Sequence, residues 1–594
     1  MLYQKVNNNF IALLQNYTKK IKMKTTITRR EALLNITALG GSVPLVQTMG
    51  VLGLMNVSSS AHAKPASISI DPTLGRGKTV AIIGAGLSGL TAAYELSNLG
   101  FTCKIFEAAH RPKGRTFTVR PDGSRDSMYQ ETGGNPETCS FDEVDGQGSL
   151  YFEAGAGRIP SHHRTVLNYC KQFNVPLESY IFASRANLVY SKTFNGGKPV
   201  TIQQFKHNLR GYLAEMCRTV DPEKLNRKLT PKEAKLMEEN FNDLRKSFGQ
   251  LNDDLIYSFD DDISRAGYKI PPGAGIEAGQ FREPLNREAV LAATDIWGEQ
   301  LFNDMRHYWQ TSLLQPVGGI DKIAEAFMRQ PATNELRIGN LIQLSRQVVQ
   351  ISLTEIDNKV VVYHQNVDAL GKKLSSDIGR FEADYCISTI APSLLHKDKI
   401  KNDFDVVNDK FNNALINGVS NVAACKVAWQ AERFWENDEN QIYGGISWTS
   451  DIISQIWYPS TGFHNQRGIL TGAYVRGETA KEFGELSRKG RVKQALIQGR
   501  RLHRELVDPR INHINKAMTI AWQNMPFQAG GWVEYTDEQR NDENGYKLML
   551  KGLNDRFFMA GDAMGYNEGW MEGAIEAGLS AKDQISAAVE VSKS

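Results

Sequence analysis

The clearest pattern of apolar and polar positions lies in residues 78–107. An apolar run at Val80–Ile83 predicts a strand, and a glycine-rich turn follows it. Residues 90–99 have helical spacing, Gly100 ends that helix, and Cys103–Phe106 is a second strand-like run. The order of these elements predicts a β–turn–α–β unit.

The turn of this unit carries the pattern G-x-G-x-x-G at Gly84, Gly86 and Gly89. In such units the first glycine allows a tight turn, the second lets the backbone approach a pyrophosphate, and the third lets the helix pack on the strand. The phosphates bind the free N–H groups at the helix N-terminus. Glu107, 18 residues after Gly89, is placed to accept from ribose hydroxyls. The unit predicts a dinucleotide site, and both NAD and FAD fit it.

Arginines near this unit are candidate ligands for anions. Arg111 and Arg115 are placed to reach a pyrophosphate, and Gly114 between them permits a close turn. Arg158 stands among small residues in YFEAGAGRIPSHHR, and its guanidinium offers a planar fork to a carboxylate. By composition alone, a surface arginine in a loop is the favoured interpretation of Arg158.

A second strand–turn–helix pattern lies near the C-terminus. The apolar run Phe557–Ala560 leads into Gly561-Asp562, and a turn at Gly569-Trp570 precedes a helical pattern over residues 571–581. Asp562 is placed to hold sugar-like hydroxyls, and the helix start can face an electron-rich ring. A purely structural βα unit is the alternative.

The middle of the chain changes from helical to strand-like patterns. Residues 206–312 are rich in Lys, Glu, Leu and Asn at helical spacing, which predicts an inserted helical subdomain. Residues 336–392 and 418–480 have strand-like runs, and residues 490–517 have a helical pattern. The chain is therefore expected to be α/β, or α+β overall.

The first 63 residues indicate export. After Met23 come the pair Arg29-Arg30, a moderately apolar stretch over residues 33–57, and the A-x-A pattern Ala61–Ala63. The paired arginines resemble a twin-arginine signal, so we predict a periplasmic or secreted protein whose mature chain starts near Lys64. An N-terminal membrane anchor is the alternative, and the true start methionine stays open. No other segment has 18 uninterrupted apolar residues, so no membrane span is expected.

Composition narrows the function classes further. With 594 residues the chain should form more than one domain. The net charge of +3 and the lack of a basic block give no reason to expect nucleic acid as a partner. The six cysteines are scattered without a C-x-x-C pair, so neither a metal site nor a dithiol centre is predicted, although one disulfide stays open.

The two ends together resemble the flavin amine oxidase family, over nearly all of residues 78–585. The matching segments are IIGAGLSGLTAAYEL…IFEA, PVGGIDKIAEAF, KV…FWE at residues 426–436, and MAGDAMGYNEGWMEGAIEAGLSA. Within the family, EAGAGRIPSHH resembles the GAMR-type motif of L-amino acid oxidases and tryptophan monooxygenases, whose arginine pairs with the substrate carboxylate. The strongest resemblance is to secreted bacterial FAD-dependent L-amino acid oxidases. It reverses the expectation for Arg158.

The resemblance implies a Rossmann-like FAD-binding domain, a mixed-sheet substrate-binding domain and a helical insertion, as in monoamine oxidases. The expected FAD-binding segments are 64–165, 313–350 and 546–594, the substrate-binding segments are 166–205 and 351–545, the insertion is 206–312, and the signal segment is 1–63.

The resemblance also implies which residues bind FAD. They are Gly84, Ala85, Gly86, Ser88, Gly89, Glu107, Ala108, Arg111, Gly114, Arg115, Gly157, Arg158, Val348, Gly561, Asp562, Gly569, Trp570, Met571 and Ala574. Val348 matches a backbone contact to adenine, Asp562 matches the residue that reaches the ribityl chain, and Gly569 to Met571 match the segment beside the isoalloxazine ring.

For the substrate, the resemblance implies Arg158 and Tyr474 on the carboxylate, Trp570 and Gly569 beside it, and Lys426 holding a water near flavin N5. Lys426, Arg158, Tyr474 and Trp570 are thus the expected catalytic residues. Trp532 matches an aromatic residue that faces the substrate, and Trp457 is expected in the side-chain pocket.

Departures from the family pattern qualify these expectations. The family's GGR is here Lys113-Gly114-Arg115, and GAMR is here GAGR. Monoamine oxidases attach flavin through a cysteine where this chain has Gly530-Gly531-Trp532, so we expect non-covalent FAD.

The expected reaction converts an L-amino acid and oxygen to a 2-oxo acid, ammonia and hydrogen peroxide. Alternatives are a tryptophan 2-monooxygenase that yields an amide, an amine oxidase, and a non-catalytic flavin-binding protein. Dimers are common in the resembling family, which makes a homodimer an expectation. The preferred side chain and the general base stay open.

Overall fold

The computed structural model describes residues 71–593, apart from residues 145–147, 218–228, 258–265, 298–300, 311, 357 and 418. The segment expected to direct export lies outside the described residues.

The predicted β–turn–α–β unit is present and belongs to a five-stranded parallel sheet. Its helix, Leu87–Asn98, starts three residues earlier than the apolar pattern indicates, so Ser88 and Gly89 lie in the first turn. Across the sheet the strands are Ile342–Gln343, Thr102–Phe106, Thr79–Ile83, Tyr385–Ser388 and Phe557–Met559.

The two glycine-containing ends of the chain meet at this sheet. The backbone N–H of Gly561, just after the edge strand, donates to Ser88 Oγ at 2.8 Å. The C-terminal helix Met571–Lys593 packs on Leu87–Asn98, where a Cβ on Gly578 would lie 2.6 Å from the Ser88 carbonyl oxygen. One apolar cluster includes residues of the sheet and of both helices. The N-terminal and C-terminal patterns therefore build one structural unit.

A seven-stranded mixed sheet is the second sheet that contributes residues to the site. Its strands, in order, are Asn512–Ala521, Ala424–Glu432, Arg467–Arg476, Gln455–Trp457, Ile446–Thr449, Leu188–Tyr190 and Val200–Thr201. The helical prediction for residues 490–517 is therefore wrong beyond the helix Arg488–Gly499. Residues 512–521 form a strand because they pair along their backbone with the strand Ala424–Glu432, which is buried except at Glu432, and that pairing overrides local propensity.

The described part of the predicted insertion contains helices, together with a short strand pair and loops. Its two long helices are Ile202–Met216 and Pro231–Gly249, and Thr230 and Glu233 form a capping box at the start of the second. The first of these helices crosses the predicted boundary at residues 205–206, and the strand Ser312–Pro316 crosses the one at residues 312–313. The structural limits of the insertion thus differ from the predicted ones by a few residues.

The other described elements are one further sheet, five strand pairs and shorter helices. A four-stranded sheet consists of Lys373–Ala383, Val360–Val367, Arg346–Ser352 and Lys401–Asn402. Strand pairs are Leu177–Ile181 with Ser312–Pro316, Ser420–Val422 with Trp532–Glu534, Thr118–Val119 with Phe152–Glu153, Glu143–Val144 with Gly148–Ser149, and Tyr268–Ile270 with Gln280–Phe281. The remaining α-helices are Arg164–Gln172, Arg287–Ala292, Thr294–Ile296, Lys322–Arg329, Pro392–Leu395, Phe404–Val407, Phe411–Asn417, Gly477–Glu485, Asp537–Asn541 and Tyr546–Lys551. Within the described part of the chain, none of the helices has the length and apolar character needed to cross a bilayer.

Candidate active site

A cavity of about 410 Å³ is lined by residues of both the parallel and the mixed sheet. This volume lies within the range typical of ligand sites, about 300–1,000 Å³. Predicted cofactor residues in its wall are Gly84, Gly86, Ser88, Glu107, Ala108, Gly114, Arg115, Val348, Gly561, Asp562, Gly569, Trp570, Met571 and Ala574. The expected substrate-side residues Lys426, Tyr474 and Trp532 also line it. Ala85, Gly89, Arg111, Gly157, Arg158 and Trp457 stand outside this wall.

The glycine turn leaves space where a pyrophosphate would lie. A Cβ on Gly86 would have its nearest neighbour 3.9 Å away, at the Cα of Gly114, so two side-chain-free backbones face each other. A Cβ on Gly89 would instead lie 2.1 Å from the Gly84 carbonyl oxygen, which shows that Gly89 serves the packing of the helix on the turn. Ala85 fastens the turn to the following loop, since its carbonyl oxygen accepts from the backbone N–H of Lys113 at 2.8 Å. This cradle fits the phosphates of a dinucleotide.

Glu107 is held rigidly beside the turn. Its carboxylate accepts from the N–H groups of Ala85 at 2.8 Å and Ala109 at 2.9 Å. Burial raises the pKa of this carboxyl, and the two N–H donors oppose that rise. The carboxylate also lines the cavity, so its remaining lone pairs can accept from a ligand hydroxyl.

The two predicted phosphate-binding arginines have different surroundings. Arg115 forms an ion pair with Asp562 in the cavity wall, and its Nη1 donates to the Gly531 carbonyl at 2.8 Å. Arg111 lies behind the wall, where its Nη1 donates to the Gly114 carbonyl at 2.9 Å and its guanidinium lies 3.7 Å from the Phe117 ring centroid. Arg111 therefore shapes the turn beside the cavity.

Lys426 joins the mixed sheet to the loop that carries Arg158. It lies opposite Tyr474 on the neighbouring strand, and its Nζ donates to the carbonyls of Glu153 at 2.9 Å and Gly155 at 2.6 Å. Burial and, to a smaller extent, the Arg158 charge lower the pKa of Lys426 to about 7, against the opposing effect of the Glu153 carboxylate. Lys426 is thus a buried amine that can exist without its proton at neutral pH.

Glu153 is a buried carboxylate that the sequence analysis did not identify. It accepts from the Ile320 N–H and the Thr118 hydroxyl, each at 2.8 Å. Burial raises its pKa to about 8. Its charge acts on Lys426, and its backbone carbonyl is one of the two that hold the Lys426 ammonium.

Arg158 is a buried cation enclosed by aromatic rings, with a side chain that is 8% exposed. Its Cζ lies 4.4 Å from the ring centroid of Trp457 and 4.6 Å from that of Trp309. Its Nε is buried without a hydrogen-bond partner, and no carboxylate among the described residues lies within ion-pair distance. Burial lowers its pKa, an effect that the hydroxyls of Tyr180 and Tyr474 oppose. The favoured interpretation from composition, a surface arginine, is therefore wrong, and the carboxylate-binding role that the resemblance implies stays a prediction.

The other expected aromatic residues lie around this cation and the cavity. The Trp570 ring centroid is 6.0 Å from Arg158 Cζ, and Trp457 also lies 4.9 Å from Lys426 Nζ. The Trp532 ring faces Gly569, where a Cβ would come within 3.0 Å of it. Gly157 lies beneath Trp457, since its Cβ would be 3.8 Å from that ring. Aromatic faces thus bound the space between Arg158 and the cavity.

The end of the insertion brings further residues to this place. His307 packs against His162 with ring centroids 4.0 Å apart and planes tilted by 36°, and the His163 ring lies edge-on to the Trp570 ring with centroids 4.9 Å apart. Tyr308 donates to Asn567 Oδ1 at 3.1 Å. The sequence offered one indication of this group, the aromatic run at residues 307–309, but not which loop it would contact.

The parallel sheet with its glycine cradle and the mixed sheet with a buried lysine meet at one cavity, an arrangement typical of a dinucleotide-binding oxidoreductase. The family model of flavin-containing amine oxidoreductases matches residues 87–586, and the chain belongs to that family.

Relatives and solved structures agree with this membership. The L-amino-acid oxidase of Bothrops atrox is 25% identical over 535 residues, covering 87% of this chain and 90% of its own. The YobN protein of Bacillus subtilis (strain 168) is 24% identical over 517 residues, covering 84% and 93%. Cyclohexylamine oxidase from Brevibacterium oxydans shares the fold with a TM-score of 0.52 and 14% identity, over 87% of this chain and 100% of its own. A putrescine oxidase gives a TM-score of 0.51 and 16% identity, over 86% and 99%.

Proposed function

We propose that this flavin-dependent amine oxidoreductase oxidises L-amino acids, using oxygen to give a 2-oxo acid, ammonia and hydrogen peroxide. Family membership supports the reaction class, and relatives of about 25% identity that are named L-amino-acid oxidases support the substrate class. The observation that carries the choice of amino acids over simple amines is Arg158.

Arg158 is suited to a carboxylate ligand. A buried cation without an anionic partner is costly, and a bidentate carboxylate is the ligand that best satisfies a guanidinium. Arg158 has no such partner among the residues the structure describes, and its neighbours are aromatic faces. A simple amine has no carboxylate and would leave the cation unpaired.

The chain's own residues perform binding, orientation and proton holding. Arg158 binds the α-carboxylate, and Tyr474, on the strand beside Lys426, provides a second contact. Trp457 and Trp570 exclude water around the carboxylate. Lys426, which can lose its proton near neutral pH, can accept the proton that the substrate ammonium must lose before oxidation. Bound FAD supplies the acceptor for the substrate hydride.

FAD would be held without a covalent bond in the cavity described above. The glycine cradle at Gly86 and Gly114 would bind the phosphates, Glu107 the ribose, and Asp562 the ribityl chain. Where monoamine oxidases attach flavin through a cysteine, this chain has Gly530-Gly531-Trp532. The domain assignment follows this arrangement, with the parallel sheet for FAD and the mixed sheet for substrate. Twin-arginine export stays our proposal from the sequence of residues 23–63.

The test is a peroxide-release screen of the purified protein with FAD against the twenty L-amino acids, selected D-forms and simple amines. Peroxide with L-amino acids and a matching 2-oxo acid supports the proposal. Amide and carbon dioxide as products would identify a tryptophan 2-monooxygenase type of reaction. Peroxide with amines alone would identify an amine oxidase, and no bleaching of the flavin under anaerobic conditions by any of these compounds would indicate a binding protein.

A further inference from the structure

The segment at residues 307–310, at the end of the helical insertion, is fastened to the loop that carries Arg158. The backbone N–H and the hydroxyl of Ser161 both donate to Gln310 Oε1, at 3.2 and 2.6 Å. His307 packs against His162 in the same loop, with ring centroids 4.0 Å apart and planes tilted by 36°. The position of this part of the insertion and the position of the Arg158 loop are therefore coupled.

Trp309 lies in this segment and contacts the Arg158 guanidinium. Its ring centroid is 4.6 Å from Arg158 Cζ, while Trp457 of the mixed sheet approaches to 4.4 Å. Phe182 stacks on Trp309 with centroids 5.2 Å apart and planes 19° apart, which restrains the Trp309 ring. The ring centroid of Trp309 also lies 5.4 Å from that of Trp570, a residue of the cavity wall.

Aromatic contacts hold a cation without using its N–H donors. A ring face attracts a guanidinium through its quadrupole, and this attraction grows when water is excluded. A protein carboxylate in the same place would occupy the donors that a ligand needs. The surroundings of Arg158 therefore restrain the side chain and, apart from a hydrogen bond with Tyr180, leave its N–H groups available.

We propose that Trp309, supplied by the insertion, is a positioning residue that holds the Arg158 guanidinium against Trp457 and keeps its donors available to the substrate carboxylate. This inference rests on the proposed function in taking an amino acid as the ligand. It assigns to the insertion a direct part in carboxylate recognition.

The kinetic test compares the holoenzyme with Trp309→Ala and Trp309→Phe. Loss of the ring should raise KM for the best amino acid about tenfold, about 1.4 kcal/mol, with a smaller change in kcat. Trp309→Phe, which keeps a ring face, should restore most of the affinity. Trp297→Ala is the matched control, because Trp297 is another half-buried tryptophan of the insertion whose Nε1 donates to the Val290 carbonyl. Its KM should stay at the wild-type value.

A binding experiment separates this inference from the proposed function. Benzoate and its neutral isostere benzamide are titrated into the holoprotein while the absorbance of the bound flavin is followed. Trp309→Ala should raise the Kd of benzoate about tenfold and leave that of benzamide unchanged. An unchanged benzoate Kd, or an equal loss for both compounds, would overturn the inference. If Trp309→Ala does not fold, Trp309→Leu fills the site without a ring face and should give the same result.

The two failures can be told apart. If the wild-type protein oxidises no amino acid but the benzoate Kd still responds to Trp309→Ala, the proposed function is wrong and the positioning role of Trp309 stands. If amino acids are oxidised and neither KM nor the benzoate Kd responds, the positioning role is wrong and the function stands.

Discussion

Two buried arginines should respond in opposite ways to substitution by methionine. Arg158 has no anionic partner among the described residues, whereas Arg491, 4% exposed, donates to both oxygens of Glu131 at 2.9 and 2.7 Å. Methionine keeps much of the volume of the side chain and removes the charge. The pair of variants therefore tests whether the charge of Arg158 serves folding or ligand binding.

The expected magnitudes follow from these partners. Arg491→Met leaves the Glu131 carboxylate buried and unpaired, which should lower the free energy of unfolding by about 3–5 kcal/mol. Arg158→Met removes an unpaired buried charge at the cost of cation–π contacts, so the free energy of unfolding without ligand should change by less than about 1 kcal/mol or rise. In catalysis Arg158→Met should lose about 3 kcal/mol of transition-state stabilisation, or roughly a hundredfold in kcat/KM for amino acids.

The assay combines steady-state kinetics with denaturant unfolding of the FAD-bound protein, with and without benzoate. At a benzoate concentration of about 100 times Kd, the wild type should gain about 2.7 kcal/mol of stability. Arg158→Met should gain none, and Arg491→Met should gain as much as the wild type. The reasoning is refuted if Arg158→Met is destabilised as strongly as Arg491→Met while its kcat/KM stays at the wild-type value.

Three further predictions concern the cofactor and the pH dependence. Gly86→Ala should fold normally but bind FAD weakly, because its methyl group would be in ordinary contact with Gly114 at 3.9 Å and would take space that the phosphates need. Gly89→Ala should fail to fold, because its Cβ would lie 2.1 Å from a backbone carbonyl oxygen. Unfolding curves and FAD titration check both. The rate of anaerobic flavin bleaching should rise through about pH 7, as Lys426 loses its proton, and Lys426→Met should remove that rise. Burial and the neighbouring His307 lower the pKa of His162, so acid should charge His162 and raise KM. His307→Phe removes the repulsion and should move this effect to higher pH in KM–pH profiles.

The elements that hold the cofactor could be predicted from sequence because their chemistry is local. The strand Thr79–Ile83, the glycine turn and Glu107 lie within one unit, and each glycine has a steric reason to be there. The helix start was placed three residues late because Ser88 and Gly89 lack the apolar side chains by which a helical pattern is recognised, although they form its first turn.

The substrate side could be anticipated only through resemblance, because its contacts join distant parts of the chain. Lys426 meets the carbonyls of Glu153 and Gly155 across 273 and 271 residues of sequence. Trp309 reaches Arg158 only because the insertion folds back on that loop. Contacts between residues so far apart in sequence leave no periodic pattern of apolar and polar positions. Composition alone favoured a surface position for Arg158, which is wrong.

The surroundings of Arg158 connect the cost of burial with selectivity. Folding alone would favour a partner such as the one Glu131 provides for Arg491. Contacts with Trp309 and Trp457 offset part of the free-energy cost of burying the Arg158 guanidinium, and they use none of its hydrogen-bond donors. Binding of a carboxylate would offset the rest of that cost. On the proposed function, a ligand without a carboxylate would leave the donors unsatisfied, at about 1–3 kcal/mol, so the same unpaired charge that weakens the free protein would select amino acids over amines.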